Sequence, residues 1–295
     1  MKGSYIGSVR FYKNLILVVI VLTIGLSLGF AIRSHRRLVK TEASLSSLQE
    51  TAAPYLFRDG SKSVDLSSGD DLPYQVLYPD FYAPQAPVTT AQDEHTVYLT
   101  FDDSPSEVTE DLLAELRTQN VKATFFITGT YQENDAADLL NAILADGHSL
   151  GMLSWSNEYD TVYRSVDSYL SDMYQLFSYI REATGITPTV FRFPGGSVNS
   201  YNAGIYRELV AEMLRRGFVP FDWNVSAQDL TAVSPSEVSL RVTSLSRSIS
   251  RSIVLMHNSE NSVAALGDIV NELSASGYAF APLDEHVKPI LFSYR

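Results

Sequence analysis

Downstream of residue 73 the chain alternates between two hydrophobic rhythms. Short apolar runs rich in β-branched and aromatic residues occur at 96–101, 122–127, 148–152, 189–192, 218–221, 252–256 and 278–282. Between them lie stretches of helical spacing, clearest from Val166 to Ala183, where Tyr169, Leu170, Met173, Leu176, Phe177 and Ile180 fall on one face. Ser234, Pro235 and Glu237 supply an N-cap, a first-turn proline and a capping-box acid for another helix. About seven strands in rotation with helices predict an α/β fold, with a parallel sheet closed or nearly closed into a barrel. An open doubly wound sheet is the alternative, but the first loop reads DDSP where a dinucleotide site would place a glycine-rich turn.

The N-terminal quarter follows a different pattern. After a short basic segment (1–14), Leu15 to Ile32 runs 18 residues without a charge, close to the ~20 that cross a bilayer as a helix. It reads as a transmembrane helix. A signal peptide has a shorter core and a small-residue cleavage site, and a core helix would carry a polar face. Basic residues flank both ends, so the positive-inside rule does not set the orientation. Residues 33–72 read as stalk and linker, ending in the Gly, Ser and Asp of DGSKSVDLSSGDDL, and the folded domain is expected over 73–295.

Charge sharpens this division. The first 40 residues hold 7 of the 22 Lys and Arg and no acid, so the rest carries 15 basic against 34 acidic residues, a net of −19. A body that acidic argues against nucleic acid as a partner. The chain has no cysteine, which excludes disulfides, thiolate catalysis and Cys-based metal sites without fixing the compartment.

Reactive groups in a parallel barrel sit on the loops after the strands, and the chemistry-bearing residues fall there. The first strand ends in Asp102 and Asp103. Adjacent carboxylates repel, so a metal, an Arg or a substrate is the usual reason to keep both; two Asp capping a turn is the plainer alternative. FRFPGGS places Arg192 beside Pro194, Gly195 and Gly196, whose turn brings backbone close to a ligand. FDWNVSAQDL carries Asp222, Trp223 and Asp229, and LMHNS carries Leu255 and His257. One carboxyl of the Asp102–Asp103 pair is expected to have a raised pKa, because a single Arg cannot neutralise both.

TFDDSPS, KATFFITG, DGHSLG, RFPGG, the DW segment and LMH, in this order and over roughly residues 73–290, resemble the polysaccharide deacetylases of the NodB homology type. The resemblance implies a distorted parallel (β/α) barrel that removes acetyl groups from cell-wall or surface polysaccharide such as peptidoglycan with a divalent metal, zinc or similar. It implies Asp102 as general base, Asp103 as metal ligand, Arg192 orienting the base and His257 protonating the leaving group. Pro194, Gly195, Gly196, Trp223 and Leu255 would line the substrate groove.

The second motif departs from the family's GNH[ST]xxH. Here it reads GMLSWSN, so Leu153 and Asn157 stand where two metal-binding His belong, and His148 is no substitute because family members carry it as well. Ser226 stands where an Asp would tune the catalytic His, and Leu230 where a Trp would wall the acetyl pocket. A metal lowers the pKa of its bound water to about 7, which an unassisted carboxylate cannot match for amide hydrolysis. Asp103 with Asn157 offers zinc or cobalt a poor site and a hard cation a weak one. Two readings follow. One is a membrane-anchored, metal-site-degenerate homologue with an extracellular domain that binds glycan, with an envelope protein as a possible partner. The other is an active N- or O-deacetylase with an atypical metal site or none.

Overall fold

The computed structural model describes residues 72–85, 87, 94–132, 135–231 and 234–292, all within the unit Ala52–Arg295. The expected span at 15–32 and all but the last residue of the 33–72 spacer lie outside the described residues. No helix among the described residues is long and apolar enough to cross a membrane.

Eight strands form one parallel sheet: β1 (Thr96–Ser104), β2 (Thr124–Thr128), β3 (Ser149–Ser154), β4 (Val190–Phe191), β5 (Val219–Pro220), β6 (Val225–Ser226), β7 (Arg251–His257) and β8 (Ala279–Phe280). The order is β5-β4-β3-β2-β1-β7-β6, with β8 beside the first two residues of β1. The seven-strand expectation therefore misses β6, which lies inside the FDWNVSAQDL stretch. Its pairing comes from tertiary contacts: Asn224 donates its backbone N–H to the Ile253 carbonyl, and its side-chain oxygen accepts from the Ile253 N–H at 2.7 Å. No ladder joins β5 to β6 among the described residues, so the barrel is open on that side.

Strand alternation sorts the core into two layers. Val97, Leu99 and Phe101 of β1 pack under the helices with Phe125, Ile127 and the apolar faces around them. Tyr98 turns inward to a smaller cluster with Phe126, Leu153, Val190, Val219, Phe221, Ile253, Leu283 and Val287. That inner cluster fills the barrel.

Among the described residues seven α-helices lie between the strands: α1 (Thr109–Gln119), α2 (Ala136–Ala145), α3 (Tyr159–Val162), α4 (Val166–Thr184), α5 (Tyr206–Arg215), α6 (Pro235–Ser246) and α7 (Glu260–Ala275). The expected face of α4 is buried throughout, from an N-cap at Ser165 to a left-handed C-cap at Gly185. The capping box of α6 forms between Ser234 and Glu237. Arg216, fully buried at the end of α5, fastens residues 74–81 to the barrel. Its guanidinium donates to the carbonyls of Tyr74, Leu77, Tyr78 and Phe81 and to Glu212.

Candidate functional site

In a regular strand Asp102 and Asp103 would point to opposite faces. A bulge prevents this. Between Phe101 and Ser104, β1 spends three steps where β2 spends two, from Phe125 to Ile127, and Asp103 takes a left-handed φ of 59°. Asp tolerates that conformation better than most residues. Both carboxylates consequently serve the C-terminal mouth.

Asp102 lies opposite His257 in the β1–β7 register and accepts from Arg192 Nη1 at 2.5 Å. Arg192 has no exposed surface. It donates from Nη1 to Thr100 Oγ1 at 2.8 Å and from Nε to the Phe221 carbonyl at 2.9 Å. Its guanidinium carbon lies 4.1 Å from the Phe126 ring centroid and 5.5 Å from that of Trp223. These contacts fix the guanidinium and hold Asp102 in one orientation. Burial pushes the Asp102 carboxyl above its ordinary value, opposed by Arg192 and His257. Burial also raises Asp103, with His257 opposing and Asp229 adding to the rise. Both carboxyls thus shift upward with desolvation as the main cause, and Asp103 adds to the rise at Asp102.

His257 Nδ1 lies 3.0 Å from Asp229 Oδ1, and its backbone N–H donates to Asp229 Oδ2 at 2.8 Å. Ser259 and Ser262 donate their hydroxyls to the same Oδ2, at 3.0 and 2.7 Å. This corrects the reading of Ser226 as the tuning position. Ser226 pairs as backbone with Leu255 in the sheet, while Asp229, three residues on, holds the imidazole. Burial alone would raise Asp229 and lower His257. The contact between them outweighs it, leaving Asp229 below and His257 above the ordinary value.

Across the mouth the groups differ. Leu153 is the extra residue of a second bulge, where β3 advances from Met152 to Ser154 while β2 advances from Ile127 to Thr128. Its side chain is buried in the inner apolar cluster. Asn157, at a φ of 56°, donates Nδ2 to Asp103 Oδ1 at 3.0 Å, and its own Oδ1 is buried without a partner. Asp172 on α4 shapes this turn: it accepts from Ser154 Oγ at 2.6 Å, Trp155 N at 2.8 Å, Ser156 N at 2.9 Å and Ser156 Oγ at 2.8 Å. Asn157 N in turn donates to Ser154 Oγ at 2.9 Å.

This donor set does not fit zinc or cobalt. Leu153 has no lone pair, an amide N–H occupies one oxygen of Asp103, and only oxygen donors are left. Among the described residues no three His, Cys, Asp or Glu side chains group as a cation site.

The glycine turn follows Arg192. Pro194 and Gly196 are buried and Gly195 is exposed, and the Pro194 carbonyl accepts from Tyr163 Oη at 2.7 Å and Asn199 Nδ2 at 3.1 Å. Gly195 needs to be glycine twice over, for its φ of 72° and because a Cβ would lie 2.8 Å from the Tyr159 ring. Trp223 packs edge-on to Phe292 at 4.9 Å and over Arg192. Leu255 lies two residues before His257, on the same face of β7. Leu230 is exposed and walls nothing. His148 lies before β3, at the opposite end from the mouth, where its Nδ1 accepts from Ala123 N at 3.2 Å and burial lowers its pKa to about 4. Sequence reasoning missed Asp172 and Tyr159. Only the nearness of Tyr159 to Asn157 could have signalled it.

An open parallel barrel carries its reactive groups at the C-terminal mouth of the strands, and here an acid and a base are paired there. Comparison with known proteins supplies the family. Residues 89–220 match the polysaccharide deacetylase family model. A putative polysaccharide deacetylase of Bacillus subtilis is 32% identical over 67% of this chain and 70% of its own length. A peptidoglycan-N-acetylglucosamine deacetylase of Bacillus cereus is 29% identical over 66% and 71%. The catalytic domain of a peptidoglycan N-acetylglucosamine deacetylase from Eubacterium rectale superposes with a TM-score of 0.66 at 35% identity, covering 70% of this chain and 96% of that one. The chain belongs to the polysaccharide deacetylase family.

Proposed function

We propose that this protein is a cell-envelope member of the family, tethered through residues 15–32 with its barrel outside the cell. In this reading it binds acetylated cell-wall glycan in the C-terminal groove without metal-dependent hydrolysis. The observation that carries the reading is the Asn157 amide donating to Asp103. In a metal-dependent site that carboxylate and the positions of Leu153 and Asn157 would surround a cation. Trp223 still packs on Arg192, which holds Asp102 opposite His257, and two relatives named above act on peptidoglycan N-acetylglucosamine.

One observation favours a second reading. The Asp229–His257 pair is fully assembled beside Asp102, an arrangement that suits ester hydrolysis. Asp102 would take a proton from water as its oxygen attacks an O-acetyl carbonyl. The carbon–oxygen bond to the sugar would then break, with His257 returning a proton to the sugar oxygen and acetate leaving.

Calorimetry of the full chain with N-acetylated chitotetraose, alongside an acetate assay on chitotetraose and acetylated xylan with and without zinc, separates these readings. Saturable binding without acetate release is the expected result. Release abolished by Asp102→Asn overturns the non-hydrolytic reading, and absence of binding and release overturns both.

A further inference from the structure

Two tyrosines beside the glycine turn have no part in the acid–base groups described so far. Tyr159 opens α3, two residues after Asn157, and its ring lies against the Gly195 turn with its hydroxyl oxygen 3.2 Å from where a Cβ of residue 195 would stand. The Tyr159 hydroxyl makes no hydrogen bond to another described residue. Its hydroxyl lies within electrostatic reach of Asp103 and Asp102. Tyr201 stands edge-on to it, with ring centroids 5.4 Å apart and planes at 89°, and is 49% exposed.

The loop bearing Tyr201 is built rather than loose. Tyr201 N donates to Asn199 Oδ1 at 2.9 Å, and Asn199 Nδ2 donates to the carbonyls of Pro194 and Gly196, both at 3.1 Å. Fully buried Asn202 donates to the Ser197 carbonyl at 3.2 Å. Tyr159 in turn packs edge-on to Tyr163, whose hydroxyl holds the Pro194 carbonyl. The same turn that borders the carboxylates therefore positions both rings.

We propose that Tyr159 and Tyr201 form a sugar subsite at the rim of the groove, with the exposed Tyr201 ring stacking on a pyranose face and the Tyr159 hydroxyl donating to its acetyl carbonyl. A rigid aromatic with a polar tip gives contact area at low entropic cost, which suits a ring with one apolar face and polar edges. Asp102 and Asp103 next to the subsite and the acidic body select an uncharged N-acetylhexosamine over an acidic sugar. The assignment rests on the glycan-binding reading and adds to it the residues that recognise the acetyl group.

The test is calorimetry of the full chain and its Tyr159→Phe and Tyr201→Ala variants against chitotetraose and cellotetraose. Both sugars are neutral, so the acidic body does not bias the comparison, and only the first carries acetamido groups. We expect the wild type to prefer chitotetraose. Tyr159→Phe should weaken chitotetraose binding at least fivefold and leave cellotetraose unchanged, and Tyr201→Ala should weaken both at least fivefold. Either variant binding chitotetraose as tightly as the wild type overturns the subsite while leaving the glycan-binding reading intact. A wild type that binds neither sugar overturns that reading and the subsite with it.

Discussion

The two sides of the barrel mouth have been kept to different standards. On the β1–β7 side the charged groups are paired: Arg192 with Asp102, and His257 with Asp229, which two serine hydroxyls also hold. On the β3 side the turn is held as firmly, by Asp172, yet it presents a leucine and an amide. Backbone architecture and ligand chemistry are therefore separable here. The shape of the turn does not depend on which side chains stand at 153 and 157, because its hydrogen bonds run to the Asp172 carboxylate behind it.

The largest effect expected from disturbing this contrast is at Arg192. Arg192→Met strands Asp102 in a buried position and should cost roughly 3–5 kcal/mol in denaturant unfolding. A loss under 1 kcal/mol would show that the β1–β7 side does not depend on the pair. Next is Asp172→Ala, which removes the acceptor for four hydrogen bonds and should cost about 3 kcal/mol. Hydrogen exchange at the Trp155 and Ser156 amides should accelerate, and unchanged protection would mean that the β3 turn holds itself.

Asp229→Asn should cost about 2 kcal/mol near pH 5. Asp229 is held below its ordinary 3.8 and His257 above its ordinary 6.5. The contribution of Asp229 is present above 3.8 and lost as pH falls through its folded value. That of His257 is present below 6.5 and lost as pH rises through its folded value. The pair therefore stabilises most between these limits. The variant should flatten the stability profile there and lower the His257 pKa in an NMR titration; a profile parallel to the wild type contradicts the pairing. The smallest effect is at Ser234→Ala, far from the mouth, where loss of the α6 cap should cost about 1 kcal/mol in thermal unfolding.

Much of the barrel was legible because its signals are local. The face of α4, the cap of α6 and the apolar run into Asp102 can each be read from a few neighbouring residues. What escaped depends on distant partners. β6 is two residues long and exists because Asn224 and β7 complete its ladder. The bulges at Asp103 and Leu153 are mismatches between strands, invisible in either strand alone. Asp229 reads in the sequence as a loop acid, with Ser226 standing where the tuning Asp is expected. The deciding contacts come from Ser259 and Ser262, beyond the next strand, which continue the anchoring of His257 into α7.

The chemistry of the β3 side is tested most directly by a zinc titration of the full chain by calorimetry, run beside the Leu153→His, Asn157→His double variant. We expect no tight stoichiometric zinc in the wild type and a gained site in the variant, because Asp172 already holds the turn that would present the imidazoles. Tight, stoichiometric zinc in the wild type would contradict this expectation.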